Sequence, residues 1–133
     1  MENKKIKTIA IIIARGGSKR IYKKNIKNFL GKPIICYSIK AALKCDFFDE
    51  IMVSTDNNEI AEISKANGAK IPFMRSSKNS SDLSTTADVI SEVLDSYNKI
   101  GIIPTYVCCI YPTAPFLNQS ILIKAYKLII KNK

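Results

Sequence analysis

The chain of 133 residues contains no histidine and no tryptophan. The first absence excludes His-based triads, imidazole general bases and imidazole metal ligands. The second, with aromatics at only 8%, weighs against a base-stacking platform for nucleic acid. No apolar run approaches the roughly 20 residues that a membrane-spanning helix needs. There is no CxxC among the four cysteines: Cys36 and Cys45 fall in an expected helix, and Cys108 and Cys109 are neighbours in an expected strand. Adjacent strand residues point to opposite faces, so that last pair is poorly placed to share a metal. Buried, reduced thiols in a cytoplasmic protein are the expectation. The amino-terminal apolar run is short and passes at Ala14 into Arg15-Gly16-Gly17-Ser18-Lys19-Arg20, which is not the pattern of a secretion signal.

Acidic residues are also missing from one whole region. From Asn3 to Lys44 there are twelve Lys and Arg and no Asp or Glu. The stretch from Cys45 to Ile103 carries −5 and the remainder +4, so the net charge of +10 belongs to the first third. Its densest part, Arg15 to Lys32, calls for an anion. Nucleic acid is one candidate, but no basic–aromatic alternation or helix-turn-helix pattern accompanies the charge. A small phosphorylated ligand is the other; a solvated basic surface is the plain alternative.

What remains is rich in apolar residues, 47% of the chain, and short enough for one domain. Ile9 to Ala14 is a continuous apolar run typical of a strand covered on both faces. Pro33 leads into a helical pattern with Ile35, Ile39, Ala42 and Leu43 on one face. Glu50 to Thr55 reads as a second strand with Ile51 and Val53 facing one way. Asp56 and Glu59 resemble a capping box for a helix carrying Ile60 and Ile63 and stopped by Gly68. A brief third strand is expected at Lys70 to Phe73, then a serine-rich loop from Arg75 to Ser84. A helix from about Thr85 carries Val89, Ile90, Val93, Leu94 and Tyr97. Tyr106 to Tyr111 reads as a fourth strand ended by Pro112 and Pro115, and Gln119 to Ile130 as a last, very apolar helix. The order βαβαβαβα predicts a mostly parallel, Rossmann-like α/β sheet with helices on both faces.

In such sheets, ligands bind beyond the carboxyl ends of the strands. Three loops reach that edge: Arg15 to Asn25, Arg75 to Thr86 and Pro112 to Asn118. Gly16 and Gly17 let the backbone approach a ligand and turn amides inward as an anion nest. Neither GxxxxGK[ST] nor a well-placed GxGxxG is present. A buried strand followed by Gly-Gly and a dense basic loop points instead to a nucleoside triphosphate held another way. For Asp56, Asp82 and Asp88, helix capping or solvent exposure is the expected role; Lys23 and Lys27 read as solvated charge.

The segments Ala14-Arg15-Gly16-Gly17-Ser18-Lys19-Arg20, Lys24-Asn25, Gly31-Lys32-Pro33, Val53-Ser54-Thr55-Asp56 and Pro112-Thr113-Ala114-Pro115-Phe116 resemble, in order and spacing, the sugar-acid cytidylyltransferases. Cys108-Cys109-Ile110-Tyr111 before Pro-Thr-Ala-Pro-Phe is most similar to the pseudaminic acid branch, whereas the neuraminic acid enzymes usually have Gln at the place of Tyr111. The resemblance implies a nucleotide-diphospho-sugar-transferase-like fold, CTP and a nine-carbon sugar acid as substrates, transfer of CMP and release of pyrophosphate. By position, Arg15 and Lys24 would neutralise the triphosphate and the departing pyrophosphate. Gly16, Gly17 and Ser18 would cradle phosphates, and Asn25 would contact the ribose. Arg75 and Thr86 match positions near the cytosine, and Tyr111 and Thr113 positions near the sugar acid. Tyr22 stands where the family usually has Pro. The resemblance also implies Mg²⁺ and, in full-length relatives, a homodimer. Residues 1–133 are expected to be a truncated cytidylyltransferase domain, its metal-binding aspartates, further sugar-binding residues and dimerisation element lying in a carboxyl-terminal part outside this sequence. N-acetylneuraminate as the substrate, or a non-catalytic nucleotide-binding or assembly module, are the alternatives.

Overall fold

A computed structural model describes residues 5–16, 24–81, 83–114 and 116–132. Three parallel strands form the main sheet in the order β4-β1-β5: β1 Thr8–Ile13, β4 Glu50–Ser54 and β5 Tyr106–Ile110. Helices α1 (Ile35–Leu43), α2 (Asn58–Ala66), α3 (Thr86–Lys99) and α4 (Gln119–Lys131) occupy the connections and the carboxyl end. The parallel register places Ile11 between Met52 and Cys109. This is the expected architecture, with the chain leaving β1 toward β4 and then crossing back to β5.

Alternation along β1 decides what each face buries. Ala10, Ile12 and Ala14 join Ile51, Val53, Ile110 and the helical residues Ile35, Ile39, Ala42, Ile60 and Leu122 in one cluster. Ile9 and Ile11 join Met52, Val93 and Tyr97 in the other. Thus α1, α2 and α4 cover one face and α3 the opposite one. Each isoleucine withdrawn fully from water contributes about 1.5–3 kcal/mol, so β1, with five of six residues buried, is the keystone of both layers. Tyr97, almost wholly buried, donates its phenol to Glu50 at 2.5 Å. Burial, reinforced by that carboxylate, pushes the phenol pKa far above its ordinary range.

Several local expectations shift. The third strand shrinks to one bridge, Met52 with Lys70, because Pro72 cannot donate to a ladder. Pro33 does not open α1. It lies in a two-residue strand, β3 (Lys32–Pro33), paired antiparallel with β2 (Asn28–Phe29). Leu30 and Gly31 join them with φ of 50° and 87°, the backbone of a tight hairpin turn. Leu43 is 47% exposed rather than core, although its Cδ1 lies 2.9 Å from the place a Cβ would take on Gly68. Gly68 has φ +102° and ends α2 as expected. The cap of α2 is Asn57, whose side chain accepts from the Ile60 amide at 3.0 Å, one residue after the expected Asp56. All four cysteines are free; Cys36 and Cys45 are buried, but Cys108, on the α4 side of β5, is half-buried, and Cys109, on the α3 side, is exposed, so both faces of β5 are incompletely covered.

Candidate active site

The crossing of the chain from one side of β1 to the other creates a crevice at the carboxyl ends of β1 and β5, the position where open α/β sheets bind ligands. A cleft of about 200 Å³ lies there. Arg15 enters it directly from β1, and Lys24 and Asn25 from the short 3-10 turn Lys24–Ile26. Arg75 comes from beyond β4, Thr86 from the first turn of α3, and Tyr111 and Thr113 from the end of β5. Seven of the ten residues singled out in the sequence therefore line one cavity. Gly17 and Ser18 lie outside the described residues, as do Lys19, Arg20, Tyr22, Lys23, Asp82 and Pro115.

Gly16 departs from its expected role. Its amide donates to the Asp56 carboxylate at 2.7 Å, so it is engaged within the protein instead of facing a phosphate. A Cβ on Gly16 would stand 2.7 Å from Asn57 Cβ and 2.9 Å from its Nδ2. Glycine is needed here for close approach to the start of α2, and Asp56 supplies the acceptor instead of the cap. Asn25 is buried; its Nδ2 donates to the Arg15 carbonyl at 2.8 Å, while its Oδ1 has no partner among the described residues. A buried acceptor without a donor is costly, and a ligand hydroxyl is one group able to supply the missing hydrogen bond.

Arg75 is the most buried cation of the cleft, 8% exposed. Its Nε donates to Ser54 Oγ at 3.1 Å, its Nη2 to the Ser54 carbonyl at 2.7 Å, and its backbone amide to the Thr55 carbonyl at 2.8 Å. Burial lowers the guanidinium pKa, Asp56 and Glu92 oppose that effect, and Arg15 adds to it; an arginine nevertheless stays protonated. The side chain is a fixed positive charge held by neutral groups of β4. Across the cleft, the Thr86 and Tyr111 hydroxyls are hydrogen-bonded to each other at 3.0 Å, and Tyr111 keeps 55% of its surface exposed. Its carbonyl accepts from the buried Ser38 hydroxyl of α1 at 3.0 Å, which fixes the start of the 111–114 segment.

Thr85 and Asp88 cap α3 reciprocally, each side chain accepting from the other's amide at 3.0 Å. Hydrogen bonds from the Thr85 backbone and then its side chain hold the Asp88 carboxyl below its ordinary value. This is the capping role expected for Asp88. Sequence reasoning missed the cleft contributions of Ser81, Ser84 and Thr85, because a serine-rich stretch reads only as a polar loop. Among the described residues, no carboxylate lines the cleft and no group of three or more Cys, Asp or Glu is arranged to hold a metal. The described residues of the cleft therefore offer no carboxylate donor set for Mg²⁺. The lining suits an anion with several negative oxygens: the cations Arg15, Lys24 and Arg75, the hydroxyls of Thr86 and Tyr111 and the buried Asn25 amide share one cleft.

No helix of the described residues is long and apolar enough to cross a membrane. The cytidylyltransferase family model matches residues 9–133. The pseudaminic acid cytidylyltransferase of Campylobacter jejuni is 47% identical, an alignment covering 96% of this chain and 55% of that protein. The CMP-N,N'-diacetyllegionaminic acid synthase of Legionella pneumophila is 35% identical over 84% of this chain and 48% of its own length. Among solved structures, CMP:2-keto-3-deoxy-manno-octonic acid synthetase complexed with CTP superposes with a TM-score of 0.75 at 22% identity, covering 94% of this chain and 48% of that one. That likeness establishes the nucleotidyltransferase-like α/β fold. The chain spans about half the length of the relatives it matches. With a matching family model over nearly all its residues and a relative at 47% identity, the chain belongs to the cytidylyltransferase family.

Proposed function

We propose that this chain is the nucleotide-binding part of a CTP-dependent nucleotidyltransferase that transfers CMP to a nine-carbon sugar acid, pseudaminic acid favoured, and releases pyrophosphate. The observation that carries the reading is the convergence of Arg15, Lys24, Asn25, Arg75, Thr86, Tyr111 and Thr113 on one cleft, in a chain 47% identical to a pseudaminic acid cytidylyltransferase.

The anomeric hydroxyl of the sugar acid attacks the α-phosphorus of CTP, a P–O bond forms there, and the bond to the β-phosphate breaks as pyrophosphate departs. Positioning and charge neutralisation provide most of the acceleration in phosphoryl-transfer chemistry. Arg15 and Lys24 neutralise charge that builds on the triphosphate and leaving group. Arg75 provides an immobile cation near the nucleotide, and Asn25 Oδ1 accepts from a ribose hydroxyl. Thr86 addresses the nucleotide, while Tyr111 and Thr113 face the sugar acid. Among the described residues this cleft offers no donor set for the family's Mg²⁺, and no step here runs through it.

The chain should be stabilised against heat by CTP more than by ATP at the same concentration. Substitution of Arg15 by Ala should weaken CTP binding about tenfold or more, the worth of a charge-assisted hydrogen bond. Equal shifts with every nucleotide, or with inorganic phosphate alone, would sink the assignment. Pyrophosphate release that requires both CTP and pseudaminic acid separates the enzyme from a purely binding module.

A further inference from the structure

We infer that Glu92, an α3 residue that does not itself line the cleft, is a positioning residue that holds the described residues of the 76–84 stretch as the nucleotide-facing wall of the site. The inference rests on the nucleotide reading of the cleft and adds to it a residue that does not touch the cleft.

Residues 81 and 84 each border open space on two sides. Ser81 and Ser84 line the cleft. Both also line a second cavity of about 510 Å³ behind the segment, bounded by α3 residues Asp88, Glu92, Asp95 and Lys99. Among the described residues lining that space only Leu83 is apolar, so polar ties must hold the wall. Among the described residues, the hydrogen bonds linking 76–84 to the rest of the fold converge on Glu92. One carboxylate oxygen accepts from the Ser76 hydroxyl and from Asn79 Nδ2 at 3.0 Å; the other accepts from the Ser76 amide at 3.2 Å.

From this anchor the order spreads locally. Ser80 Oγ donates to the Ser76 carbonyl at 2.6 Å, the Asn79 amide to the Ser76 carbonyl at 3.2 Å, and Ser84 Oγ to the Lys78 carbonyl at 3.2 Å. Ser76 directly follows Arg75, whose backbone is already fixed to Thr55. Glu92 therefore sets the direction in which the chain leaves the buried cation, and with it where Ser81 and Ser84 stand. Burial alone would raise the carboxyl pKa, but the bonds from Ser76 and Asn79, with Arg75 nearby, hold it below its ordinary value. The carboxylate form, the one able to accept from three donors, is thereby favoured.

The test combines hydrogen exchange with CTP titration on the full chain. Glu92→Ala should accelerate exchange of the 76–84 amides about tenfold, the scale of losing a charged acceptor, while β1 and β4 amides keep their wild-type rates. CTP should bind about tenfold more weakly with melting nearly unchanged. Glu92→Gln, which keeps one carbonyl acceptor, should recover part of both effects, and it serves alone should the alanine variant not fold. Unchanged exchange in 76–84, or accelerated exchange with wild-type CTP affinity, overturns the inference. Absence of CTP binding by the unmutated chain would instead overturn the nucleotide reading, and the exchange data would still decide whether Glu92 holds the wall.

Discussion

β1 has a neighbour on each side, and the two are sheathed very differently. β4 buries four of its five residues, whereas β5 buries only Ile110. Behind β4 stand α1 and α2 with Ile39, Ala42 and Ile60 fully or almost fully withdrawn from water. Over β5 lies α4, of which only Leu122 is buried while Ile121, Leu128, Ile129 and Ile130 remain substantially exposed. Its best contacts are aromatic: Tyr126 stacks on Phe47 at 4.1 Å and meets Tyr106 edge-on at 5.9 Å. The same backbone pairing, parallel and in register on both flanks, thus carries unequal side-chain packing. Hydrogen bonds alone add little net stability, so the β4 flank supports the fold and the β5 flank chiefly presents the site.

The largest expected effect tests that division directly. Met52→Ala, at a fully buried position of β4, should cost about 2–5 kcal/mol in denaturant unfolding. Leu128→Ala, at a position 61% exposed on α4, should stay within about 0.5 kcal/mol. Equal losses would break the comparison. A smaller effect lies where β1 meets α2. Gly16→Ala forces a Cβ to within 2.7 Å of Asn57 Cβ, so an overpacking cost of about 1–3 kcal/mol is expected in the same assay. A neutral result would mean that Asn57 yields freely and that the junction is looser than β4 itself.

The smallest effect sharpens the picture at α3. Thr85→Ala should cost about 1 kcal/mol, the typical value of an N-cap. The pH dependence has a definite sign. The Asp88 pKa is lowered on folding, so its contribution is present above the unfolded value of 3.8 and disappears as pH falls through the lower folded value. An Asp88→Asn variant, having no such group to titrate, should lose less stability than the wild type between pH 5 and 2 when melting is followed by circular dichroism. Parallel acid limbs would contradict the capping geometry.

How much of this was readable in advance depends on how local the cause is. β1 was legible because six apolar residues in a row have one economical solution, burial on both faces. The helix at Thr86 was legible because its cap and its apolar spacing lie within one short window. The cleft was legible in outline because the loops after parallel strands must meet at one edge. What escaped depends on contacts across the chain. Gly16 looked like an anion nest, and only the fold reveals Asp56 already on its amide. The cap of α2 moved by one residue because Asp56 was taken by that bond while Asn57 remained for the Ile60 amide. The hairpin at Leu30-Gly31 joins strands of two residues, too short to show a period. Glu92 lies sixteen residues beyond Ser76, and nothing in a serine-rich tract announces its anchor.

The bond from the buried Ser38 hydroxyl to the Tyr111 carbonyl has a mechanical consequence. It clamps one jaw of the crevice to α1, and through α1 to the buried cluster of Ile35, Ile39 and Ala42, so that jaw cannot yield without stranding a hydroxyl in a dry interior. Among the described residues, the opposing jaw hangs by its hydrogen bonds from one partly buried carboxylate, that of Glu92. When a guest enters, nearly all the adjustment, and the entropy it consumes, falls on that hanging side.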